Sequence, residues 1–275
     1  MSVHADIKRI TVPQLMAYKG QKKIVSLTSY IAPFARIIDE YVDMILIGDS
    51  TAMVGYNMDD TLSITTDQLS AHAKAVVSST QRACIVVDMP FGSYQESPEQ
   101  AFRNAAKMLS VSGADAVKFE GGEYLAETTR FLVDRGIPVL AHIGLMPQYV
   151  NTMGGFKAQG LSEEAANRIF NDAIAQEQAG AWGIVIEGTA EPLARRITQN
   201  VKIPTIGIGA SPECDGQVLV AEDIFNLSGS RIPKFAQQFS DVQATIRQGV
   251  EAYANQVRDG SFPTLNHCFG VPKNG

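Results

Sequence analysis

Five short apolar runs in this chain each stop at a residue that can do chemistry. Met44-Ile45-Leu46-Ile47-Gly48 runs into Asp49, Cys84-Ile85-Val86-Val87 into Asp88, and Ala116-Val117-Lys118-Phe119 into Glu120. Ile137-Pro138-Val139-Leu140-Ala141 runs into His142, and Trp182-Gly183-Ile184-Val185-Ile186 into Glu187. Runs this short, rich in Val and Ile, read as parallel strands buried on both faces. Parallel neighbours need long crossovers, usually helices, so the runs commit the chain to alternating strands and helices. In α/β enzymes the carboxyl ends of such strands carry the chemistry. One polar ending could be chance; five converging in one sheet would not be.

The stretches between the runs carry the helical period. The pattern predicts a strand over 23–28, a helix near 32–41, a loop over 51–63 and a helix over 66–79 with Leu69, Ala73 and Val76 on one face. Ser97-Pro98-Glu99 is a helix start, with Ser97 as cap and Pro98 in the first turn, ahead of a helical period over 101–112. Further helices are expected near 123–135, from Ser162-Glu163-Glu164 to about 178, over 192–199 and over 240–258. A long loop over 144–160 separates two of them. The seventh strand falls over 203–209 and a weak eighth over 218–220.

Eight strands favour a closed (β/α)8 TIM barrel over an open sheet. At 275 residues the chain is close to the roughly 250 typical of that fold. No linker or repeat divides it. The expected organisation is a single barrel domain over 1–275, with an N-terminal extension over 1–22 and a loose C-terminal tail over 260–275.

Composition narrows the function. A formal net charge of -6 argues against a nucleic-acid or anionic-membrane surface. No apolar run approaches the roughly 18 residues of a membrane span. The first 21 residues are polar and mixed, so no secretory signal is expected. Cys84, Cys214 and Cys268 lack metal-ligand spacing and read as free thiols of a reducing cytoplasm. Small-molecule substrates remain, with cytoplasmic localisation.

Side chains two apart on a strand share a face, so Lys118 and Glu120 point the same way. Inside a barrel mouth, Asp49, Asp88 and Glu120 would approach one another from three strands. Like charges raise one another's pKa, so three ionised carboxylates there call for a cation. All-oxygen ligation points to Mg2+, with Mn2+ as the alternative. Lys118 reads either as a structural ion-pair partner or as a point charge for a substrate carboxylate. Glu187 stands apart from the acid trio and reads as a base for a weak carbon acid or as an ion-pair partner at the mouth. His142 is either an accessory catalytic group or a hydrogen-bonded core histidine. The hydroxyl and amide of Ser50, next to Asp49, could hold a substrate oxygen.

At these residues the chain resembles the ketopantoate hydroxymethyltransferases. The resemblance rests on Leu46-Ile47-Gly48-Asp49-Ser50, Val87-Asp88-Met89-Pro90-Phe91, Val117-Lys118-Phe119-Glu120-Gly121-Gly122 and His142-Ile143-Gly144-Leu145. It continues through Pro147-Gln148, Asn151, Gly154-Gly155-Phe156-Lys157-Ala158-Gln159-Gly160, Ile206-Gly207-Ile208-Gly209-Ala210, Asp215-Gly216-Gln217 and Pro233-Lys234-Phe235. It spans about 23–239.

The resemblance implies a barrel of the phosphoenolpyruvate/pyruvate superfamily assembled as a homodecamer. Asp49 and Asp88 would ligate Mg2+, with Glu120 completing the site directly or through water. Asp49, Ser50, Asp88 and Lys118 would bind the keto acid, and Glu187 would be the proton acceptor. The implied reaction passes a hydroxymethyl group from 5,10-methylenetetrahydrofolate to 3-methyl-2-oxobutanoate through a Mg-stabilised enolate, giving 2-dehydropantoate for pantothenate and coenzyme A synthesis. The rival enzyme reading is a Mg-dependent carbon–carbon lyase acting on a 2-oxo or 2-hydroxy acid. Ile31, Met146 and Tyr149 depart from the residues usual in the family.

Overall fold

Strands β1 (Ile24–Thr28), β2 (Met44–Ile47), β3 (Cys84–Asp88), β4 (Ala116–Glu120), β5 (Val139–Gly144), β6 (Gly183–Glu187), β7 (Thr205–Ile208) and β8 (Gly216–Leu219) pair in sequence order. All pairs are parallel, and β8 pairs back onto β1 to close a barrel. The computed structural model describes residues 8–229 and 232–270. Its contacts group into two compact units, Met1–Ala221 with the barrel and Glu222–Gly275.

Helix α1 (Val12–Met16) precedes β1, and between the strands run α2 (Ala32–Ile38), α3 (Thr51–Val54), α4 (Thr66–Ser79), α5 (Pro98–Ser112), α6 (Ala126–Val133), α7 (Val150–Met153), α8 (Glu163–Gln178) and α9 (Glu191–Asn200). The boundaries have local causes. Thr65 Oγ1 accepts from the Gln68 N–H and caps α4; Ser97 Oγ does the same for the Gln100 N–H at α5, with Pro98 at the first position. Helix α5 ends where Gly113 takes φ 76°, which favours glycine.

Alternation along the strands sorts side chains into those that face the helices and those that fill the barrel. Ile45, Ile47, Ile85, Val87, Val117 and Phe119 face outward and pack with Leu69, Ala73 and Val76 of α4 and Ala105 and Met108 of α5. Burying a large apolar side chain contributes about 1.5–3 kcal/mol, which is what holds the helices on the sheet. The opposite parity, Ile24, Met44, Leu46, Cys84, Val86, Ala116, Leu140, Val185 and Ile206, fills the barrel. Ile10 and Leu15 join this inner cluster, so the segment preceding β1 supplies part of the barrel's core.

The structure refines several expected boundaries. Loop 144–160 holds a 3-10 turn at Pro147–Tyr149 followed by α7, and loop 51–63 holds α3. Single turns are too short for a helical period to register in sequence. The stretch near 123–135 begins as a 3-10 turn, Glu123–Leu125, before α6. Strand β8 starts at Gly216, earlier than expected, where it pairs with Ile24; a Cβ there would collide with the Ile24 carbonyl oxygen, so a glycine opens the strand and hides it from the apolar pattern.

The second unit carries α10 (Ala221–Ile224, at its boundary) and α11 (Val242–Asp259), the helix expected over 240–258. Asp241 Oδ1 accepts the Ala244 N–H to cap α11, and Gly260 ends it at φ 77°. Of the expected N-terminal extension and C-terminal tail, residues 1–7 and 271–275 lie outside the described residues. Among the described residues no helix is long and apolar enough to cross a membrane.

Candidate active site

The inner parity carries upward to the polar strand ends. On β3 it runs Cys84, Val86, Asp88; on β4 Ala116, Lys118, Glu120; on β5 Leu140, His142; on β6 Gly183, Val185, Glu187. The register sets Asp88 opposite Lys118, Glu120 opposite His142, and Gly144 opposite Glu187. Asp49 lies beyond β2, past Gly48. All the expected site residues therefore meet at the carboxyl-end mouth.

A chain of polar contacts crosses that mouth. The Asp49 N–H donates to Asp88 Oδ2 at 3.0 Å. Lys118 Nζ lies 3.0 Å from Asp88 Oδ1 and 3.2 Å from His142 Nδ1. His142 Nε2 lies 3.3 Å from Glu187 Oε2, and Nδ1 lies 3.6 Å from Glu120 Oε1. An ammonium can only donate, so Nδ1 is the acceptor and Nε2 carries the ring proton toward Glu187. Ser50 Oγ sits 2.8 Å from the Tyr30 hydroxyl.

Burial sets the charge states. Asp88, Lys118, Glu120 and His142 are all buried. Desolvation raises the Asp88 carboxyl, reinforced by Asp49 and opposed by Lys118. Glu120 is raised well above the usual carboxylate range by burial, then by Asp49 and Glu187. Burial opposes the charge of Lys118, but Asp88, Asp49 and Glu120 together outweigh it and keep the ammonium protonated. His142 is lowered by burial and by Lys118, which makes it neutral at pH 7.

Four carboxylates thus face one ammonium. Two unit charges about 4 Å apart interact by about 4 kcal/mol at an effective dielectric of 20, so the imbalance is large on the scale of folding stability. It is relieved by protons or by a cation. Asp88 Oδ1 is paired with the Lys118 ammonium, but Glu120 Oε1 is buried without a hydrogen-bond donor, and an orphaned oxygen of that kind suits a hard cation. The residues present fit a divalent ion. They do not form a finished cage: among the described residues no three Asp, Glu, His or Cys side chains are already grouped as metal ligands.

Two further residues join the acids without having been singled out for chemistry in the sequence. Gln148, in the 3-10 turn after β5, donates from its backbone N–H to Glu120 Oε2 at 2.9 Å and from Nε2 to Asp49 Oδ2 at 2.8 Å. Tyr94 lies 2.6 Å from Gln148 Oε1 and accepts the Glu120 N–H at 3.2 Å. A polar residue directly after Pro147, just beyond the His142 strand, was the available signal. Of the three departures, Ile31 is exposed at the start of α2, Met146 lines a small cavity with Gly122, Gly144 and Asp172, and Tyr149 packs edge-on to Tyr124.

This architecture is that of a (β/α)8-barrel enzyme with its polar groups gathered at the carboxyl ends of the strands. Solved structures share the barrel. Phosphonopyruvate hydrolase, crystallised with oxalate and Mg2+, aligns with a TM-score of 0.61 at 13% identity over 96% of this chain and 92% of its own. The 2,3-dimethylmalate lyase aligns at 0.57 with 17% identity over 94% and 88%. At such identities the likeness is one of fold.

Sequence carries the assignment further. The chain belongs to the ketopantoate hydroxymethyltransferase family, whose model matches residues 9–265. It is 53% identical to 3-methyl-2-oxobutanoate hydroxymethyltransferase 1 of Hahella chejuensis over all of this chain and 99% of that protein. It is 55% identical to the 3-methyl-2-oxobutanoate hydroxymethyltransferase of Parvibaculum lavamentivorans over 99% of each.

Proposed function

We infer that the chain transfers a hydroxymethyl group to 3-methyl-2-oxobutanoate, with 5,10-methylenetetrahydrofolate as donor and 2-dehydropantoate as product. Full-length membership of the family supports the reaction. The observation that carries the residue roles is the line of contacts from Asp88 through Lys118 and His142 to Glu187. It links a cation-binding end of the mouth to a base.

Asp49 and Asp88, with Glu120 behind them, would hold a divalent cation, Mg2+ or Mn2+. The chemistry such an ion supplies when bound is Lewis-acid polarisation of a carbonyl oxygen. Lys118 presents a fixed positive charge to the carboxylate of the keto acid, and the Ser50 hydroxyl offers a hydrogen bond to one of its oxygens. Glu187 removes the C3 proton. Its side chain is 17% exposed, which leaves it open to a substrate in the mouth. His142, neutral, sets Nε2 3.3 Å from Glu187 Oε2 and would steady that carboxylate. The carbanionic C3 then bonds to the one-carbon unit as that carbon's bonds to the folate nitrogens break. Water supplies the hydroxyl oxygen, and the C3 proton and the water's second proton end on those nitrogens, leaving 2-dehydropantoate and tetrahydrofolate. A homodecameric assembly and cytoplasmic localisation belong to the same reading and are supported by the family resemblance alone.

The test is product analysis by NMR with labelled methylenetetrahydrofolate, the keto acid and Mg2+. Label arriving in 2-dehydropantoate is the expected result. Proton exchange at C3 without that product would overturn the transfer assignment in favour of a lyase-type enzyme.

A further inference from the structure

Gln148 is buried, yet every polar atom of its side chain is engaged. Nε2 donates to Asp49 Oδ2 at 2.8 Å and to the Met89 carbonyl at 3.0 Å. Oε1 accepts from the Tyr94 hydroxyl at 2.6 Å and from Gln95 Nε2 at 3.3 Å. A primary amide has two N–H donors and one carbonyl oxygen with two lone pairs, so its capacity is filled. The orientation is also fixed. The Tyr94 oxygen accepts the Glu120 N–H at 3.2 Å, and its single proton has two acceptors in reach, of which Gln148 Oε1 at 2.6 Å is much nearer than the Glu120 carbonyl at 3.2 Å. A flipped amide would present Oε1 to the Asp49 carboxylate and to a carbonyl oxygen, three acceptors with no proton among them.

The backbone of the same residue reaches the other acid, its N–H donating to Glu120 Oε2 at 2.9 Å. One residue thereby ties down one oxygen of Asp49 and one of Glu120. The remaining Glu120 oxygen, Oε1, is the buried one without a donor. Ordinary packing does not require a glutamine to hold two acids that repel each other.

We propose that Gln148 is the positioning residue of the acid cluster. Its amide and backbone N–H orient Asp49 and Glu120 for a divalent cation, and Tyr94 locks the amide in the orientation that donates. Partners of this kind set the rotamer and basicity of metal-binding side chains, and their loss typically lowers metal affinity about 10- to 100-fold. The proposal rests on the reading of Asp49 as a ligand.

The test is direct Mn2+ binding, followed by the electron paramagnetic resonance signal of free Mn2+, on the wild-type chain and on Gln148→Met, Tyr94→Phe and Asp49→Asn. Gln148→Met keeps the volume and removes the amide. It should weaken Mn2+ binding about 10- to 100-fold and raise KM for the keto acid more than it lowers kcat. Tyr94→Phe leaves the Gln95 donor in place, so it should weaken binding in the same direction by a smaller factor. It also serves if Gln148→Met fails to fold. A purely structural role would lower the melting temperature and leave Mn2+ affinity of the folded protein unchanged. Unchanged affinity in a folded Gln148→Met or Tyr94→Phe protein, with Asp49→Asn losing Mn2+, would overturn the proposal and leave Asp49 as ligand. Unchanged affinity in Asp49→Asn would overturn both.

Discussion

At the scale of single residues, the site is decided by which of its charges have partners. Lys118 contacts Asp88 and His142 and is buried, so it does not swing to find a substrate. In the proposed mechanism the substrate carboxylate would have to come to it. A hydrogen bond to a charged group is worth about 1.5–3 kcal/mol, or roughly 10- to 150-fold in affinity. Lys118→Met should therefore raise KM for the keto acid by a factor in that range. Steady-state kinetics check it, and a KM within twofold of wild type would mean that Lys118 serves Asp88 alone. His142 is buried, with Nδ1 3.2 Å from Lys118 Nζ and Nε2 3.3 Å from Glu187 Oε2, a placement that both readings open at the level of sequence share. That dual placement was not legible, because it depends on β5 and β6 aligning in a particular register.

At the scale of elements, the strand ends were legible and the loops between them were not. Apolar runs bounded by Asp88, Glu120 and Glu187 match β3, β4 and β6 at their carboxyl ends, because burial on both faces leaves a continuous signal. Strand β8 was faint for a physical reason: Gln217 is exposed and Gly216 replaces a β-former at the close approach to Ile24. The turn bearing Gln148 gave no period at all, so its link to Asp49 appears only in three dimensions. Gly144 shows what an element end must tolerate. It sits at φ 92°, and a Cβ would strike the Glu187 carbonyl oxygen and Thr189 Oγ1. Strain of that kind costs about 1–3 kcal/mol. Gly144→Ala should lose at least that much in urea unfolding, and it should slow catalysis by displacing the end of β6. Wild-type stability in that variant would mean that the β5–β6 junction is slack.

At the scale of the whole molecule, closure of the barrel depends on buried charge as well as apolar packing. Asp215, just before β8, accepts from Lys19 Nζ at 2.7 Å, the Thr205 N–H at 2.9 Å and the Gly20 N–H at 3.2 Å. Burial alone would raise its carboxyl, but Lys19 and the backbone donors outweigh burial and hold it below the ordinary value of 3.8. A depressed folded-state pKa gives stability that is full above the unfolded value and is lost as pH falls through the folded one. Asp215→Asn should therefore cost about 1.5–3 kcal/mol at neutral pH, with the gap to wild type closing in strongly acidic solution. Urea titrations across pH check the sign; a gap that widens on acidification would contradict it. A second whole-molecule expectation concerns the acids. A ligand at 100 times its Kd stabilises by about 2.7 kcal/mol, roughly 5 °C in melting temperature for a chain of this size. Millimolar Mg2+ or Mn2+ should produce a rise of that order, reversed by a chelator, and no shift with either ion would contradict the cation reading.

The central claim is that Glu187 removes the C3 proton of the keto acid at a mouth prepared by Asp49, Asp88 and Lys118. The measurement that tests it most directly is NMR of C3 proton exchange in 3-methyl-2-oxobutanoate in D2O, with and without Mg2+, for wild type and Glu187→Gln. Loss of a general base typically costs about 100- to 10,000-fold. The account predicts Mg2+-dependent exchange in wild type and a loss of that order in Glu187→Gln, with Mn2+ affinity retained. Exchange at the wild-type rate in Glu187→Gln would contradict it.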